Sequence, residues 1–349
     1  MKEVMVIGGE SVAPGERKMI DLKLAKLTTA TEMHMPVHVI RGRRKGPVLL
    51  VCAAIHGDEV NGVEVIRRLC NGISTSKLRG TLIAIPIVNV YGFLHHSRYL
   101  PDRRDLNRCF PGSAKGSMAS QLASTFIGEI VSKCTHGIDL HTAAVHRENL
   151  PQIRARMDDE ATRKMAEAFH APVIIDTNVQ PGTLRETAAK LGIPWLVYEA
   201  GEALRFDEIS IRAGVDGIMS VMRCLDMLAK GRARKAVVPR LAKGSAWMRA
   251  PESGMMRLIV PMGALVMQGD ALGFVADPYG DKEVAIVADR SGIVIGRANL
   301  PMVNQGEAVM HIARFRNVGA VADAVETFQT EMEPDWDFDD MEPEAAPII

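Results

Sequence analysis

The 349-residue chain is 47% hydrophobic and 24% charged, a composition typical of folded proteins that excludes a disordered chain. Its 42 basic and 42 acidic residues cancel, so no overall basic charge favours nucleic acid or an anionic membrane. From Glu326 onward there are nine acidic residues and no Lys or Arg. The 42 basic and 33 acidic residues of 1–325 therefore leave an excess of nine positive charges, which suits an anionic substrate.

The N-terminal sequence MKEVMVIGGE lacks the apolar stretch and cleavage site of a secretory signal. The longest apolar runs, such as Val48–Ile55, are too short to cross a bilayer, so we expect a cytoplasmic protein with no membrane partner. The cysteines are odd in number and form no CxxC pair, which disfavours disulfides and a thiolate zinc site. They are Cys52, Cys70, Cys109, Cys134 and Cys224.

In chain order, residues 1–45 consist of short extended segments broken by Gly and Pro, which predicts a small N-terminal β appendage. Apolar runs then alternate with helical patterns over residues 46–230, as in an α/β domain whose sheet is flanked by helices. The predicted strands are 48–55, 82–88, 138–140, 173–176 and 195–199, and the predicted helices are 63–70, 119–133, 161–170 and 209–228.

A basic linker is predicted over residues 231–243, followed by a β domain over 244–316 that contains an internal repeat. The segment Val266–Val275 recurs 37 residues later as Val303–Ile312, so two equivalent β units are expected to pack face to face. This pattern resembles the barrel-sandwich shape of biotinyl and lipoyl carrier domains, but no Lys occupies the carriers' turn position. Residues 317–349 are predicted to be an acidic tail that lacks order from about residue 331.

Two candidate metal ligands lie between a predicted strand and a helix, in the sequence His56-Gly-Asp-Glu59. On such a turn, side chains three residues apart can point the same way. A hydrolytic zinc site needs three protein ligands and one position for water. The third candidate is His141, which a short apolar strand delivers to its C-terminal end. The alternative for His141 is a core histidine bonded to a neighbour.

Further candidate site residues lie at the end of a predicted strand and in two loops. Glu199 ends an apolar strand, where a carboxylate can act as a general base. The alternative is a Glu that caps a helix or forms a salt bridge. The segment 98–108 is rich in guanidinium and amide groups that suit bidentate recognition of a carboxylate, although such runs usually form a solvated face. The loop Gly182–Arg185 could supply a further cation.

Five short motifs occur in an order that is similar to a known family. They are HGDE at 56–59, DLNR at 105–108, IDLHT at 138–142, GTLR at 182–185 and YEAG at 198–201. This set resembles the succinylglutamate desuccinylase and aspartoacylase family, over roughly residues 45–315. The family belongs with the zinc carboxypeptidases, so the resemblance implies their mixed sheet flanked by helices.

The resemblance also implies roles for individual residues. One zinc ion per chain would be bound by His56, Glu59 and His141, with Glu199 as the general base. Arg98 would polarise the scissile carbonyl, with Arg103 and Arg104 as competing candidates for that role. The substrate carboxylate would be held by Asn107, Arg108 and Arg185.

The function expected from these features is zinc-dependent hydrolysis of the amide bond of a small N-acyl amino acid, in which water activated by zinc and Glu199 attacks the acyl carbonyl. Two alternatives stay open. One is a metallocarboxypeptidase that acts on short peptides, and the other is a zinc-stabilised binding protein without catalysis. The sequence is compatible with several acyl groups and amines in the substrate. It is also compatible with both a monomer and a homo-oligomer.

Overall fold

The computed structural model describes residues 4–230, 238–316 and 319–333. The strands are β1 (Met5–Ile7), β2 (Glu10–Val12), β3 (Arg17–Lys26), β4 (Glu32–Arg41), β5 (Arg44–Ala53), β6 (Arg79–Ile85), β7 (His136–Ala143), β8 (Arg147–Ala155), β9 (Val173–Asp176), β10 (Trp195–Glu202), β11 (Arg240–Ala242), β12 (Gly244–Arg249), β13 (Gly254–Leu258), β14 (Leu265–Val266), β15 (Ala271–Ala276), β16 (Glu283–Val287), β17 (Gly292–Ala298), β18 (Met302–Val303) and β19 (Ala308–Arg314).

The helices are α1 (Asn61–Gly72), α2 (Val90–Leu94), α3 (Met118–Glu129), α4 (Glu160–Ala168), α5 (Leu184–Lys190), α6 (Glu208–Cys224) and α7 (Gly319–Met332), with short 3-10 turns at Leu106–Arg108 and Val131–Lys133. None of the helices within the described ranges combines the length and apolar character needed to cross a bilayer.

A large mixed sheet organises the protein, in the order β12-β19-β17-β8-β10-β7-β5-β6-β4-β3. Strands β6, β5, β7 and β10 run parallel to one another, whereas β8 joins β10 antiparallel. Alternate residues of β5 enter two different cores, because successive side chains of a strand point to opposite faces. Leu49 and Val51 pack with α1, α4 and α6, whereas Leu50 and Cys52 pack with α3 and α5. The predicted α/β fold with a mixed sheet flanked by helices is confirmed.

The N-terminal segment contributes two strands to this large sheet. β3 pairs with β4, and β4 pairs in turn with β6, where His38 lies opposite Ala84. Alternate residues of β4, including Met35, Val37 and Val39, are fully buried. Residues 17–41 are therefore hydrogen-bonded into the edge of the main sheet, next to the strands that were predicted from Gly46 onward.

The C-terminal strands divide between two sheets. β17, β19 and β12 extend the main sheet beyond β8, whereas β16, β15, β13 and β18 form a second, four-stranded sheet. Equivalent positions of the internal repeat meet in one hydrophobic core between them. These pairs of equivalent residues are Val266 and Val303, Leu272 and Val309, and Val275 and Ile312.

The C-terminal segment contains a helix that the acidic composition concealed. Residues 319–332, which were assigned to the tail, form α7, so that expectation is corrected for these residues. Val321, Val325 and Phe328 recur at helical spacing and are buried. In the predicted basic linker, residues 240–242 form β11, which pairs with β9. The rest of the predicted tail from residue 334 and the linker residues 231–237 lie outside the described residues.

We expect Phe328→Ala to lower the free energy of unfolding by about 3 kcal/mol, because it leaves a cavity where α7 meets the core of α1 and α6. Phe328 is only 2% exposed. Urea denaturation followed by circular dichroism measures the change, with Glu326→Ala on the exposed side of α7 as the control. Equal midpoints for both variants would show that α7 does not stabilise the domain.

Candidate metal centre and active site

Three candidate ligands meet at the C-terminal ends of two neighbouring parallel strands. β5 leads into His56 and Glu59, and β7 carries His141 beside it. Their potential ligand atoms all lie within 4.8 Å of one another, and all three side chains are buried. Gly57 is required in this turn because a Cβ there would lie 2.0 Å from the carbonyl carbon of Gly92. The structure thus brings together the three residues that were predicted as metal ligands.

The two imidazole rings are each held between carboxylates. Nδ1 of His56 lies 2.7 Å from Oε1 of Glu59, and Nδ1 of His141 lies 2.7 Å from Oε2 of the same residue. On the outer side, Nε2 of His56 lies 3.1 Å from Asp105, and Nε2 of His141 lies 2.8 Å from Asp139. A carboxylate on the outer nitrogen fixes the ring and leaves the inner nitrogen as the metal-binding atom. His141 is therefore more than an isolated core histidine.

The charges of this cluster favour a divalent cation. Burial alone would raise the pKa of Glu59, but His56 and His141 outweigh it and hold that pKa well below its usual range. Burial likewise opposes the ionisation of Asp105, yet His56 and Arg98 lower its pKa. Imidazoles that bind a metal ion are neutral, and in that state the carboxylates of Glu59, Asp105 and Asp139 exceed the single Arg98 by two negative charges. Two imidazole nitrogens and a carboxylate are a donor set that fits zinc.

Of the three arginines that compete for the carbonyl, Arg98 lies at this centre. Its guanidinium is 3.3 Å from Oε1 of Glu59 and 3.0 Å from Oδ2 of Asp105. Arg103 is exposed, with a backbone φ of 60°. The side chain of Arg104 is 60% exposed, and it lies 4.0 Å from Asp102. The geometry therefore favours Arg98 for a role beside the metal ligands.

The loops that carry Asn107 and Arg185 are joined to each other. Oδ1 of Asn107 accepts a hydrogen bond of 3.0 Å from the backbone of Leu184, at the first residue of α5. Gly182 has a φ of +78° and packs so closely on the backbone of Arg108 that a Cβ would lie 2.7 Å from its carbonyl oxygen. Arg108 itself is exposed.

Arg185 is the second residue of α5, and its hydrogen bonds go to residues other than the candidate metal ligands. Its guanidinium donates to Oγ1 of Thr177 at 2.6 Å and to the carbonyl of Asn178 at 3.1 Å. Burial and the charge of Arg154 lower its pKa, whereas Glu199 and other carboxylates oppose that shift. Arg185 is thus close enough to Glu199 to sense its charge.

Glu199 lies next to the candidate metal ligands, on the strand adjacent to the one that carries His141. In the parallel pairing of β10 and β7, Glu199 is opposite His141. Nδ2 of Asn149 donates to its Oε2 at 3.0 Å, and Nη1 of Arg154 lies 3.6 Å from its Oε1. The side chain is 15% exposed, so water and substrate can reach it. Glu199 does have a salt-bridge partner, as the alternative supposed, but its place beside His141 also suits a base.

Four polar residues at this site were not predicted. Asp139 could have been found, since it lies two residues before His141 and a strand places both side chains on one face. Asp105 stands in the DLNR motif, but no local pattern indicates that its carboxylate reaches His56. Asn149 and Arg154 lie on β8, and only the pairing of β8 with β10 brings them to Glu199.

The fold is a mixed sheet flanked by helices, with a buried group of His56, Glu59 and His141 that could hold a metal ion at the C-terminal ends of its strands. The model of the succinylglutamate desuccinylase/aspartoacylase catalytic domain matches residues 45–225, and the chain belongs to this family.

The chain is also similar to individual proteins. It is 24% identical over 292 residues to an N-alpha-acetyl-L-2,4-diaminobutyric acid deacetylase of Halomonas elongata, covering 80% of this chain and 85% of that protein. The crystal structure of a succinylglutamate desuccinylase/aspartoacylase from Rhodobacter sphaeroides superposes with a TM-score of 0.77 at 25% identity, covering 86% and 95% of the two chains. The product-bound ectoine utilization protein EutE (DoeB) of Ruegeria pomeroyi shares the fold, with a TM-score of 0.78 at 23% identity and coverage of 85% and 95%.

Proposed function

We propose that this protein is a zinc-dependent deacylase that hydrolyses the amide bond of small N-acyl amino acids. The observation that carries the proposal is the buried cluster of His56, Glu59 and His141 with the carboxylate of Glu199 on the adjacent strand. Membership of the family supports amide hydrolysis, and the Halomonas elongata relative is named as a deacetylase of an N-acetylated amino acid.

In this proposal His56, Glu59 and His141 hold the zinc ion, and Asp105 and Asp139 orient the two imidazoles. When bound, zinc lowers the pKa of water toward neutrality and polarises a carbonyl group. The excess of carboxylates at the cluster supports the assignment, since it attracts a divalent cation to this position.

Glu199 is proposed to move the proton. Its carboxylate takes a proton from the attacking water and passes it to the departing amine. Asn149 and Arg154 fix the orientation of that carboxylate through Oε2 and Oε1. Arg98 donates to the carbonyl oxygen as negative charge develops there, a contribution worth about 3–4 kcal/mol for a well-placed donor.

The carboxylate of the substrate is proposed to bind Asn107, Arg108 and Arg185. The exposed guanidinium of Arg108 and the amide nitrogen of Asn107 lie on the loop that follows Asp105, which itself contacts His56. The bond from Leu184 to Asn107 orients that amide so that its carbonyl oxygen is used within the protein. The Nδ2 group of Asn107 is the end that donates to a ligand.

The proposal is tested by measuring amine release from a panel of N-acyl amino acids and from dipeptides of matched length. We expect the zinc-loaded protein to hydrolyse one or more N-acyl amino acids faster than any dipeptide. Faster cleavage of dipeptides would favour the metallocarboxypeptidase alternative. Bound zinc without hydrolysis of either class would favour the non-catalytic binding protein.

Replacing the outer partner of His141 provides a test of the metal ligands. We expect Asp139→Asn to weaken zinc binding by roughly 10–100-fold, because the imidazole loses the carboxylate that fixes its orientation. Competition with a chelating dye measures the affinity. Asp158→Asn is the control, since the Asp158 side chain is 78% exposed and pairs with Arg156. Equal zinc affinities for both variants would contradict the assignment of His141.

A further inference from the structure

Three buried polar atoms on β8 and β19 have no hydrogen-bond partner among the described residues. They are Oε1 of Gln152, Nε of Arg154 and Nδ1 of His311. Gln152 is fully buried and His311 is 7% exposed. Buried polar atoms in native proteins are nearly always paired, so a group of three indicates that a polar ligand or ordered water belongs there.

Two of these atoms lie on the face of β8 that adjoins Glu199. In the antiparallel pairing of β8 and β10, Gln152 is opposite Glu199 and Arg154 is opposite Val197. Residues directly opposite each other in a sheet project to the same face. The guanidinium of Arg154 also lies 3.6 Å from the Glu199 carboxylate. Gln152 and Arg154 therefore lie on the face that carries Glu199, on the strand farther from His141.

The third atom belongs to the C-terminal strands, which pair with β8. In register, Asn149 of β8 is opposite Gly296 of β17, and Gly296 is opposite His311 of β19. A Cβ at Gly296 would lie 3.1 Å from Oδ1 of Asn149 and 3.3 Å from Cβ of His311. Because glycine leaves this space open, His311 and Asn149 approach each other across it. Asn149 is the residue that donates to Glu199.

The positive groups around this space outnumber the carboxylate of Glu199, which favours an anion. Arg154 and the nearby Arg185 are positive, and Arg147 lies 5.1 Å over the ring of Trp247, which stacks on His311 at 4.7 Å. Burial, followed by the charge of Arg154, lowers the pKa of His311 to about 4, so its ring is neutral near pH 7. A neutral imidazole can donate through Nδ1. Nε of Arg154 and Nδ1 of His311 are thus two unpaired donors, and the charge of Arg154 acts on the His311 ring.

We propose that Arg154 and His311 form a second anion subsite, which binds a carboxylate of the substrate other than the one held by Asn107 and Arg108. The buried Oε1 of Gln152 accepts from an ordered water beside that carboxylate. This inference rests on the proposed function and deepens it, since it assigns specificity to a residue of β19, beyond the matched catalytic domain. The second carboxylate can belong to the acyl group or to the amino acid.

Titration calorimetry with two matched pairs of probes tests the subsite. On the amine side, Nα-acetyl-L-glutamate is compared with Nα-acetyl-L-glutamine, and on the acyl side N-succinyl-L-alanine is compared with its terminal carboxamide. Each pair differs only in one carboxylate. The measurements use zinc-loaded Glu199→Gln protein, so that the probes are not consumed. The pair that shows the preference identifies which part of the substrate carries the second carboxylate.

We expect at least one carboxylate probe to bind about tenfold or more tightly than its amide partner, since hydrogen bonds to a charged group are stronger than neutral ones. Adding His311→Leu should reduce that ratio to about threefold or less, and Arg154→Gln provides a second variant with the same expected loss. His34→Leu on β4, remote in the sheet order, is the control that keeps the ratio.

Equal binding within both pairs, or a ratio that survives both His311→Leu and Arg154→Gln, would overturn the subsite. Hydrolysis by the wild-type protein is measured separately. If the protein hydrolyses N-acyl amino acids but shows no carboxylate preference, the anion subsite is overturned and the proposed function is kept. A preference that depends on His311, in a protein without hydrolysis, overturns the proposed function and keeps the anion subsite.

Discussion

Glu199→Gln is expected to retain zinc and to lower kcat for N-acyl amino acid hydrolysis by roughly 100- to 10,000-fold. Gln preserves the shape of the side chain and its contact with Asn149, but its amide cannot accept a proton from water. The three metal ligands are unchanged, so zinc binding should persist. Initial rates of amine release, together with elemental analysis of the same preparation, measure both quantities.

The matched control for this prediction is Glu148→Gln, on the adjacent strand β8. Glu148 pairs with Arg297 at 3.0 Å and contacts none of the metal ligands, so its variant should turn over like the wild type. Unimpaired turnover of Glu199→Gln would refute its role as the base. Loss of zinc from Glu199→Gln would mean that Glu199 supports the metal centre instead.

His56→Ala and His141→Ala are expected to lose most of their zinc and nearly all activity. Each variant removes one of the three ligands that this buried cluster offers to a metal ion. Elemental analysis after dialysis should find about one zinc per chain in the wild type and little in either variant.

The control for these variants is His95→Ala, because His95 is exposed beyond α2 and takes no part in the cluster. Circular dichroism establishes whether each variant is folded. Full zinc occupancy in folded His56→Ala and His141→Ala would place any metal elsewhere and remove the basis of the hydrolase proposal.

The candidate metal centre could be located from the sequence because its motifs are local, and the family resemblance gave them their roles. The apolar run that became β5 ends at His56, and the helix after Glu59 has its own periodicity. Residues at the C-terminal ends of neighbouring parallel strands must lie close together, which brings His141 to the same place. The choice between a ligand and a core histidine required the structure, since it depends on Glu59 and Asp139 in space.

Features that depend on contacts between distant segments could not be read from local patterns. The sequence could not separate Arg98 from Arg103 and Arg104, because the path of the loop decides which one reaches Glu59. Asn149 and Arg154 become neighbours of Glu199 only through antiparallel pairing of β8 with β10. Strand pairing of this kind leaves no periodic signal in either segment.

The N-terminal edge of the main sheet and the last helix also depend on contacts that local sequence patterns do not show. Residues 1–45 look like a separate appendage because Gly and Pro interrupt them, yet β4 pairs with β6. In α7, acidic residues on the exposed side concealed the buried positions Val321, Val325 and Phe328. The acidic composition assigned these residues to a tail, whereas burial of one helical face against the core determined their structure.

Zinc titration of the chelated protein tests the central claim most directly. Amine release from the best N-acyl amino acid of the panel is measured while zinc is added to metal-free protein. We predict no hydrolysis without zinc and a linear rise that ends at about one zinc per chain. Undiminished hydrolysis by the metal-free protein, or a zinc-saturated protein that hydrolyses none of the panel, would contradict the account.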